Sequence, residues 1–271
     1  MKKPTNSIIK LFLRPSILLI PLLFLVYVLI KYDSQSDLQI PMPSESELFE
    51  GKADMPENHK RFILELIPLI QQVNQSVLEE REKLKAIILT IELKQPLKSS
   101  DKKFLSKLAT HYFGKNEEQI KFEQNFNDLK FLNELLERVD IVPVRLALAQ
   151  SAIESGWGRS RFCNEGNAYF GIHCYTNECG IKANANSDGG FEVKSYASAN
   201  ESVIDYVHFL NSKRGMQRFR NERIRYFHTD SIPDLIRLAG SMKGYSAIGD
   251  TYKYMIKSIL DKYIPEEIAN Y

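Results

Sequence analysis

Residues 142–158 constrain the fold of this chain more than any other segment. Pro143 suits the first turn of a helix, where its missing N–H is not needed. Apolar and small side chains then recur at helical spacing on more than one face, so we expect this helix to be buried on most of its surface. Gly156 suits the end of the helix, since glycine readily adopts the left-handed conformation. The segment therefore predicts a domain built around one enclosed helix.

One face of this predicted helix is small and polar, and it carries Ala147, Gln150, Ser151 and Glu154. Glu154 lies in the last turn, where the helix dipole disfavours a negative charge. A low-dielectric environment acts in the same direction, so both influences raise the pKa of this carboxyl. A carboxyl that keeps its proton near neutral pH can serve as a general acid. The alternative interpretation is an ordinary glutamate that faces water at a helix end.

The N-terminal residues have the pattern of a membrane signal. Residues 15–30 carry no charge and follow four basic residues, namely Lys2, Lys3, Lys10 and Arg14. This run is near the lower limit of the ~17–25 residues of a membrane-spanning helix. No small-residue cleavage site precedes Lys31, so we predict an uncleaved signal anchor over residues 1–32, with the rest of the chain exported. A cleaved signal peptide is the alternative.

The chain after the anchor divides into three predicted parts. Residues 33–57 are rich in proline and serine and are expected to be an extended, partly disordered linker. Residues 58–139 are expected to be helical, and Pro68 to kink the first helix or to mark a helix start. Residues 140–265 form the third predicted part, a domain that contains the helix of Glu154.

A small β-lobe is predicted inside that last part. Residues 187–190 are a turn signal between two short strand-like runs. Ser198 and Glu201 then form a capping box for a following helix, and further helices are expected around residue 235 and over residues 251–262. The predicted fold class is mainly α, with one small β-hairpin lobe.

The three cysteines leave several interpretations open. Cys174 and Cys179 flank a probable turn, so a local disulfide is the first interpretation if the compartment is oxidising. Free thiols come second. A metal site that also uses His173 comes third, because a second ligand pair is missing. Cys163 is expected to be a buried thiol.

The overall charge argues against nucleic acid as a partner. The formal net charge is +2, and 26% of the residues are charged. This small excess of positive charge is typical of a solvated mixed surface and not of a nucleic-acid-binding face.

The order of motifs resembles the glucosaminidase family, glycoside hydrolase family 73. Glu-Ser-Gly-Trp-Gly at residues 154–158 is followed by Asn-Ala-Tyr-Phe-Gly at 167–171, a hairpin and a capped helix. The Bax group of that family shares the Cys-x4-Cys-Gly of residues 174–180 and the Tyr-Ser-x-x-Gly-Asp of residues 245–250. The resemblance covers residues 141 to about 260 and implies a lysozyme-like helical domain.

The resemblance also implies roles for single residues. Glu154 matches the catalytic general acid of the family, and Tyr245 matches a tyrosine near the catalytic pocket. Trp157 matches a tryptophan packed beneath the acid, with filling of the core as the alternative. The other positions matched to substrate binding are Asn167, Phe170 and Tyr196.

The sequence departs from the family where a second acid is often found. The strand predicted over residues 180–186 has no carboxylate, so the candidates nearby are Glu178, Asp188 and Glu192. Glu192 is preferred as a catalytic residue, because it shares a strand face with Lys194 and Tyr196. An ion pair between Glu192 and Lys194 is the alternative. Without a second acid, the 2-acetamido group of the substrate could act as the nucleophile.

The function implied is that of a membrane-anchored peptidoglycan hydrolase of the endo-beta-N-acetylglucosaminidase type. It would cleave glycosidic bonds beside N-acetylglucosamine, with peptidoglycan glycan strands as partner and no metal or organic cofactor. The expected location is the inner membrane, with the catalytic domain in the periplasm or outside the cell. A lytic transglycosylase and a catalytically inert wall-binding scaffold are the alternatives.

Overall fold

Eleven helices and one small sheet make up the part of the chain that the computed structural model describes, namely residues 43–52, 54–176, 178–182, 191–229, 232–242 and 250–268. The helices are α1 Glu45–Leu48, α2 Glu57–Glu92, α3 Ser99–Phe113, α4 Glu117–Gln124, α5 Leu129–Arg138, α6 Val144–Ser155, α7 Arg161–Gly166, α8 Ala199–Ser212, α9 Gln217–Thr229, α10 Ile232–Gly240 and α11 Asp250–Lys262; a 3-10 turn, Arg214–Met216, joins α8 to α9. The strands are β1 His173–Cys174, β2 Gly180–Lys182 and β3 Glu192–Lys194. This composition confirms the predicted mainly α fold with a small β-lobe.

Several predicted features lie outside the described residues. They are the membrane segment of residues 15–30, the turn at residues 187–190 with Asp188, and Tyr245. Among the helices that the structure does describe, none combines the length and the apolar character needed to cross a bilayer.

Helix α6 is enclosed, as its sequence predicts. All nine residues from 144 to 152 are buried, including the side chains of Gln150 and Ser151. Gly156 ends the helix with a left-handed φ of 58°, a conformation that disfavours other residues. Both neighbours α2 and α11 pack against α6, so the small polar face of α6 meets other helices.

Helix α2 is a long, continuous helix that contributes much of the core. Its buried side chains include Ile63, Leu66, Ile67 and Ile70, at the spacing the sequence indicates. Pro68 lies inside the helix and not at its start. Since Pro68 is exposed, the backbone carbonyl that loses its N–H partner lies on the solvent side of the helix.

Polar contacts join α2 to the segment that leads into α6. The buried Asn74 side chain donates to the carbonyl of Val142 at 2.8 Å and accepts from its N–H at 3.1 Å. Arg81 donates to the carbonyls of Leu136 and Val139. From Pro43 onward the chain is one compact unit with one hydrophobic core, so the predicted boundary at residues 139–140 does not divide the packing.

Part of the predicted linker is folded, which corrects the expectation for residues 43–56. Ser44 and Glu47 form a capping box at the start of α1. Leu48, Phe49 and Met55 are buried in the core. Proline and serine in this segment serve as helix-capping and turn residues and are not a sign of disorder here.

The three strands form an antiparallel sheet in the order β1-β3-β2. Gly180 is required where β2 meets β3, because a Cβ there would overlap the carbonyl of Val193. The next helix, α8, is capped by Ser198, whose side chain accepts from the N–H of Glu201 as predicted. The carboxylate of Glu201 accepts from the N–H of Ala197, so only half of the predicted capping box forms.

Candidate active site

Glu154 lies in the last turn of α6, largely removed from solvent by the elements around it. This burial raises the pKa of the Glu154 carboxyl, because the charged form loses its hydration. A hydrogen bond from the Tyr252 hydroxyl has the opposite and smaller effect on this pKa. Among the described residues, no other carboxylate contributes to the shift. The pKa of the Glu154 carboxyl is therefore shifted upward, the direction expected for a general acid.

A chain of hydrogen bonds orients the group that contacts Glu154. The buried Gln150 amide donates to the Tyr252 oxygen at 3.0 Å, and the Tyr206 hydroxyl donates to the Gln150 oxygen at 2.6 Å. Because the Tyr252 oxygen already accepts from Gln150, its own hydrogen is available to Glu154. The network fixes one side of the carboxyl, through residues on α6, α8 and α11.

Gly171 lies directly against the Glu154 carboxyl. A Cβ at this position would be 3.1 Å from Glu154 Oε2, and the φ of 61° is in the left-handed region. Both the space and the backbone conformation therefore favour glycine. The close approach brings the start of the β-lobe to the acid.

Trp157 is placed in an aromatic cluster with the first residues of α2. Its ring stacks on His59, with centroids 3.8 Å apart and planes inclined by 7°, and it meets Phe62 and Tyr263 edge-on. Burial lowers the pKa of His59, and the positive charge of Arg159 lowers it further. The stack of His59 on Trp157 joins α2 to the residues that follow Glu154.

Asn167 and Phe170 shape the loop that leads to Gly171. Asn167 has a left-handed φ of 49°, ends α7, and donates from its side chain to the carbonyl of Tyr196 at 3.0 Å. The buried Phe170 ring stacks on Tyr206 at 3.9 Å. Through these contacts the loop is fixed both to the β-lobe and to the hydrogen-bonded network beside Glu154.

Tyr196 and Lys194 share a partner that the sequence did not indicate. The Tyr196 hydroxyl donates to Asp205 Oδ2 at 2.7 Å, and Lys194 Nζ lies 2.9 Å from the same atom. The expected alternative of an ion pair between Lys194 and Glu192 is therefore wrong. Asp205 lies on α8, and its position relative to β3 depends on tertiary packing.

Glu192 has a defined structural contact in the β-lobe. Its Oε2 accepts from the N–H of Gly180 at 2.9 Å, and its carboxylate lies within 4.8 Å of both sulfur atoms of Cys174 and Cys179. The register pairs Glu192 with Cys174 on β1 and Lys182 on β2. The Glu192 carboxylate therefore stabilises the centre of the sheet, independently of any role in catalysis.

The cysteines are arranged as a disulfide and a thiol. Cys174 and Cys179 are bonded to each other, and Cys163 is free and buried. Within the described residues, Cys174, Cys179 and Glu192 are the one group close enough to share a metal ion. Because the two sulfurs are bonded to each other, they are not available as thiolate ligands.

Sequence reasoning missed two members of the network, Tyr252 and Tyr206. Tyr252 lies two residues after the Tyr-Ser-x-x-Gly-Asp segment of residues 245–250, and that position was the available signal. The third member, Gln150, was noted only as part of the polar stripe of α6.

The candidate site lies in a stretch that matches a known protein family. Residues 129–264 match the glucosaminidase model, described as mannosyl-glycoprotein endo-beta-N-acetylglucosaminidase. Over 196 residues the chain is 29% identical to Protein bax of Escherichia coli (strain K12), covering 71% of this chain and 65% of that protein. The chain thus spans just under two thirds of the length of this relative. No solved structure matches the chain.

Proposed function

Because the chain belongs to the glucosaminidase family, we propose that it hydrolyses glycosidic bonds beside N-acetylglucosamine in peptidoglycan, with Glu154 as the general acid. The single observation that carries this proposal is the raised pKa of Glu154, caused by burial at the end of an enclosed helix. A solvated structural glutamate has no such shift. The family supplies the reaction class, and the environment of Glu154 supports its role.

The chemical step begins with protonated Glu154. It donates its proton to the glycosidic oxygen, so the sugar leaves as a neutral alcohol while positive charge develops on the ring that remains. Tyr252 then stabilises the carboxylate that forms, because its hydroxyl already donates to this group. Burial favours the protonated form of Glu154 before the proton transfer, and Tyr252 favours the carboxylate form after it.

The second half of the reaction needs a group that stabilises or attacks the sugar ring. The preferred second acid, Glu192, is engaged in the β-lobe by a hydrogen bond from the N–H of Gly180 and lies beside the disulfide. These observations favour the 2-acetamido group of the substrate, an accepted exception to the scheme with two carboxylates. Glu192 as the second acid is the competing assignment.

The experiment uses the purified full-length chain, its Glu154→Gln variant and its Glu192→Gln variant on isolated peptidoglycan. Glu154→Gln should lower the rate by about 10²–10⁴-fold, the usual contribution of a general acid. Glu192→Gln should keep most activity, because an amide oxygen can still accept from Gly180. A loss in Glu192→Gln as large as in Glu154→Gln would instead make Glu192 the second acid.

The products distinguish hydrolysis from its alternatives. Mass spectrometry of the released fragments should show reducing sugar ends. Anhydro-muramyl ends would identify a lytic transglycosylase. Binding of peptidoglycan without any cleavage would identify an inert wall-binding scaffold.

We further propose that residues 15–30 anchor the protein in the inner membrane, with residues 43–268 on the outer side. The uncharged run behind basic residues supports the anchor. The disulfide between Cys174 and Cys179 supports an oxidising compartment. Mass spectrometry of the native N-terminus tests the anchor, since a mature protein that starts near residue 33 would contradict it.

A further inference from the structure

The disulfide between Cys174 and Cys179 closes a short loop that presents an aromatic side chain to solvent. Tyr175, the first residue after β1, is 77% exposed. Among the described large apolar side chains that reach the surface, it is the most exposed. An exposed tyrosine ring has an apolar face that a ligand can cover while its hydroxyl stays in water.

The backbone that carries Tyr175 is fixed on both sides. Cys174 pairs with Glu192 in the sheet, and Glu192 in turn accepts from the N–H of Gly180, just after Cys179. The disulfide joins the two ends of the loop. A ring on such a base loses little further backbone entropy when it binds a ligand.

The loop is also close to the acid along the chain. A Cβ added at Gly171 would be 3.1 Å from Glu154 Oε2, and Tyr175 is four residues further on. Four extended residues span at most ~14 Å, so the Tyr175 backbone lies no further than this from Gly171. A short oligosaccharide bound with its scissile bond at Glu154 can extend over such a distance.

We propose that Tyr175 is a glycan-contact residue that stacks on a sugar ring several units away from the bond that is cleaved. This inference rests on the proposed function of Glu154 and adds to it a preference for long glycan strands over short ones. The π-face of tyrosine is apolar and slightly negative, and it suits the C–H-rich face of a pyranose ring. The phenol at the tip stays in water.

The test measures binding in the catalytically silent Glu154→Gln protein, so that the ligand stays intact. The full-length chain, in a detergent without sugar groups, is titrated with the disaccharide and the hexasaccharide of β-1,4-linked N-acetylglucosamine. Tyr175→Ala should weaken hexasaccharide binding about 3- to 10-fold, the range expected for one aromatic contact, and leave disaccharide binding unchanged. Tyr175→Phe should bind like the parent, because it keeps the ring.

Tyr254→Ala is the matched control. Tyr254 is 63% exposed and lies two residues after Tyr252 on α11, which directs it about 200° around the helix and away from Glu154. Its loss should not change hexasaccharide binding. The assignment of Tyr175 is overturned if Tyr175→Ala binds the hexasaccharide as well as the parent does. It is also overturned if neither protein binds the hexasaccharide.

Hydrolysis by the unsubstituted protein separates this inference from the proposed function. If strands are cleaved but Tyr175→Ala binds as the parent does, only the role of Tyr175 fails. If Tyr175→Ala loses hexasaccharide affinity but the unsubstituted protein cleaves nothing, the glycan contact holds and the proposed hydrolase activity fails. When both hold, Tyr175→Ala raises the KM for long strands without lowering kcat.

Discussion

At Glu154 two opposing influences act on one carboxyl. Burial disfavours the negative charge and raises the pKa, whereas the hydrogen bond from Tyr252 favours the charge and lowers it. Burial is the larger influence, so Glu154 stays protonated to a higher pH than a solvated glutamate does. Because only the protonated form donates, activity should fall as the pH rises through the pKa of Glu154.

Replacing Tyr252 by phenylalanine should move that pH limit. The variant lacks the hydrogen bond that lowers the pKa of Glu154, so the pKa rises and the fall in kcat/KM should shift to higher pH. The pH profile of kcat/KM is the measurement, with Tyr254→Phe as the exposed control. A shift to lower pH in Tyr252→Phe, or none, would mean that Tyr252 does not act on the acid.

A substitution at Gly171 tests whether the position of the Glu154 carboxyl matters for activity. Gly171→Ala places a methyl group against Glu154 Oε2 and strains a backbone with a φ of 61°, so activity should fall at least tenfold and stability by about 1 kcal/mol. Gly114→Ala is the control, because Gly114 has a φ of 73° and open space around its Cβ position. It should lose similar stability with normal activity. Equal activity in the two variants would contradict the close approach.

At the scale of elements, α6 is held in place by side chains from α2. Asn74 satisfies both polar backbone groups of Val142, two residues before α6 begins, in a buried position. Unsatisfied buried backbone groups are costly, so this one side chain fixes how the chain enters the helix that carries Glu154.

Asn74→Ala should lower the free energy of unfolding by about 2–4 kcal/mol, because it leaves the N–H and C=O of Val142 without a partner. The neighbouring Gln75 is exposed, and Gln75→Ala should change stability by less than about 0.5 kcal/mol. Chemical denaturation of both variants provides the values. A small effect of Asn74→Ala would show that water replaces the amide.

The sequence predicted some elements of the structure and missed others, and the difference has a physical reason. The burial of α6, its end at Gly156 and the cap of α8 by Ser198 follow from local periodicity, glycine chemistry and capping preferences, and the structure confirms them. The stack of His59 on Trp157 and the pairing of Lys194 with Asp205 join residues on different elements. A single sequence carries no direct signal for such contacts.

At the scale of the molecule, the residues that match the family model are fewer than the residues that form the folded unit. The match covers residues 129–264, whereas the compact unit begins at Pro43. Helix α2 lies outside the match but supplies His59 and Phe62 to the cluster around Trp157, and Asn74 to the entry of α6. The upstream helices are therefore part of the fold that supports the site.

Removing the helices upstream of residue 129 should prevent folding. A fragment of residues 129–268 should show no cooperative thermal unfolding by circular dichroism, because it exposes the face of α6 that α2 covers. A fragment of residues 43–268 should unfold cooperatively. A transition of the shorter fragment at the same temperature as the longer one would show that the matched segment folds by itself.

The central claim is that Glu154 protonates the leaving oxygen, and the dependence on the leaving group tests it most directly. The full-length chain and Glu154→Gln are compared on an N-acetylglucosamine oligomer and on its dinitrophenyl glycoside, whose leaving group needs no proton. We expect Glu154→Gln to lose about 10²–10⁴-fold on the oligomer and to remain close to the parent on the dinitrophenyl glycoside. Equal losses on both substrates, or no loss on the oligomer, would contradict the role of Glu154 as general acid.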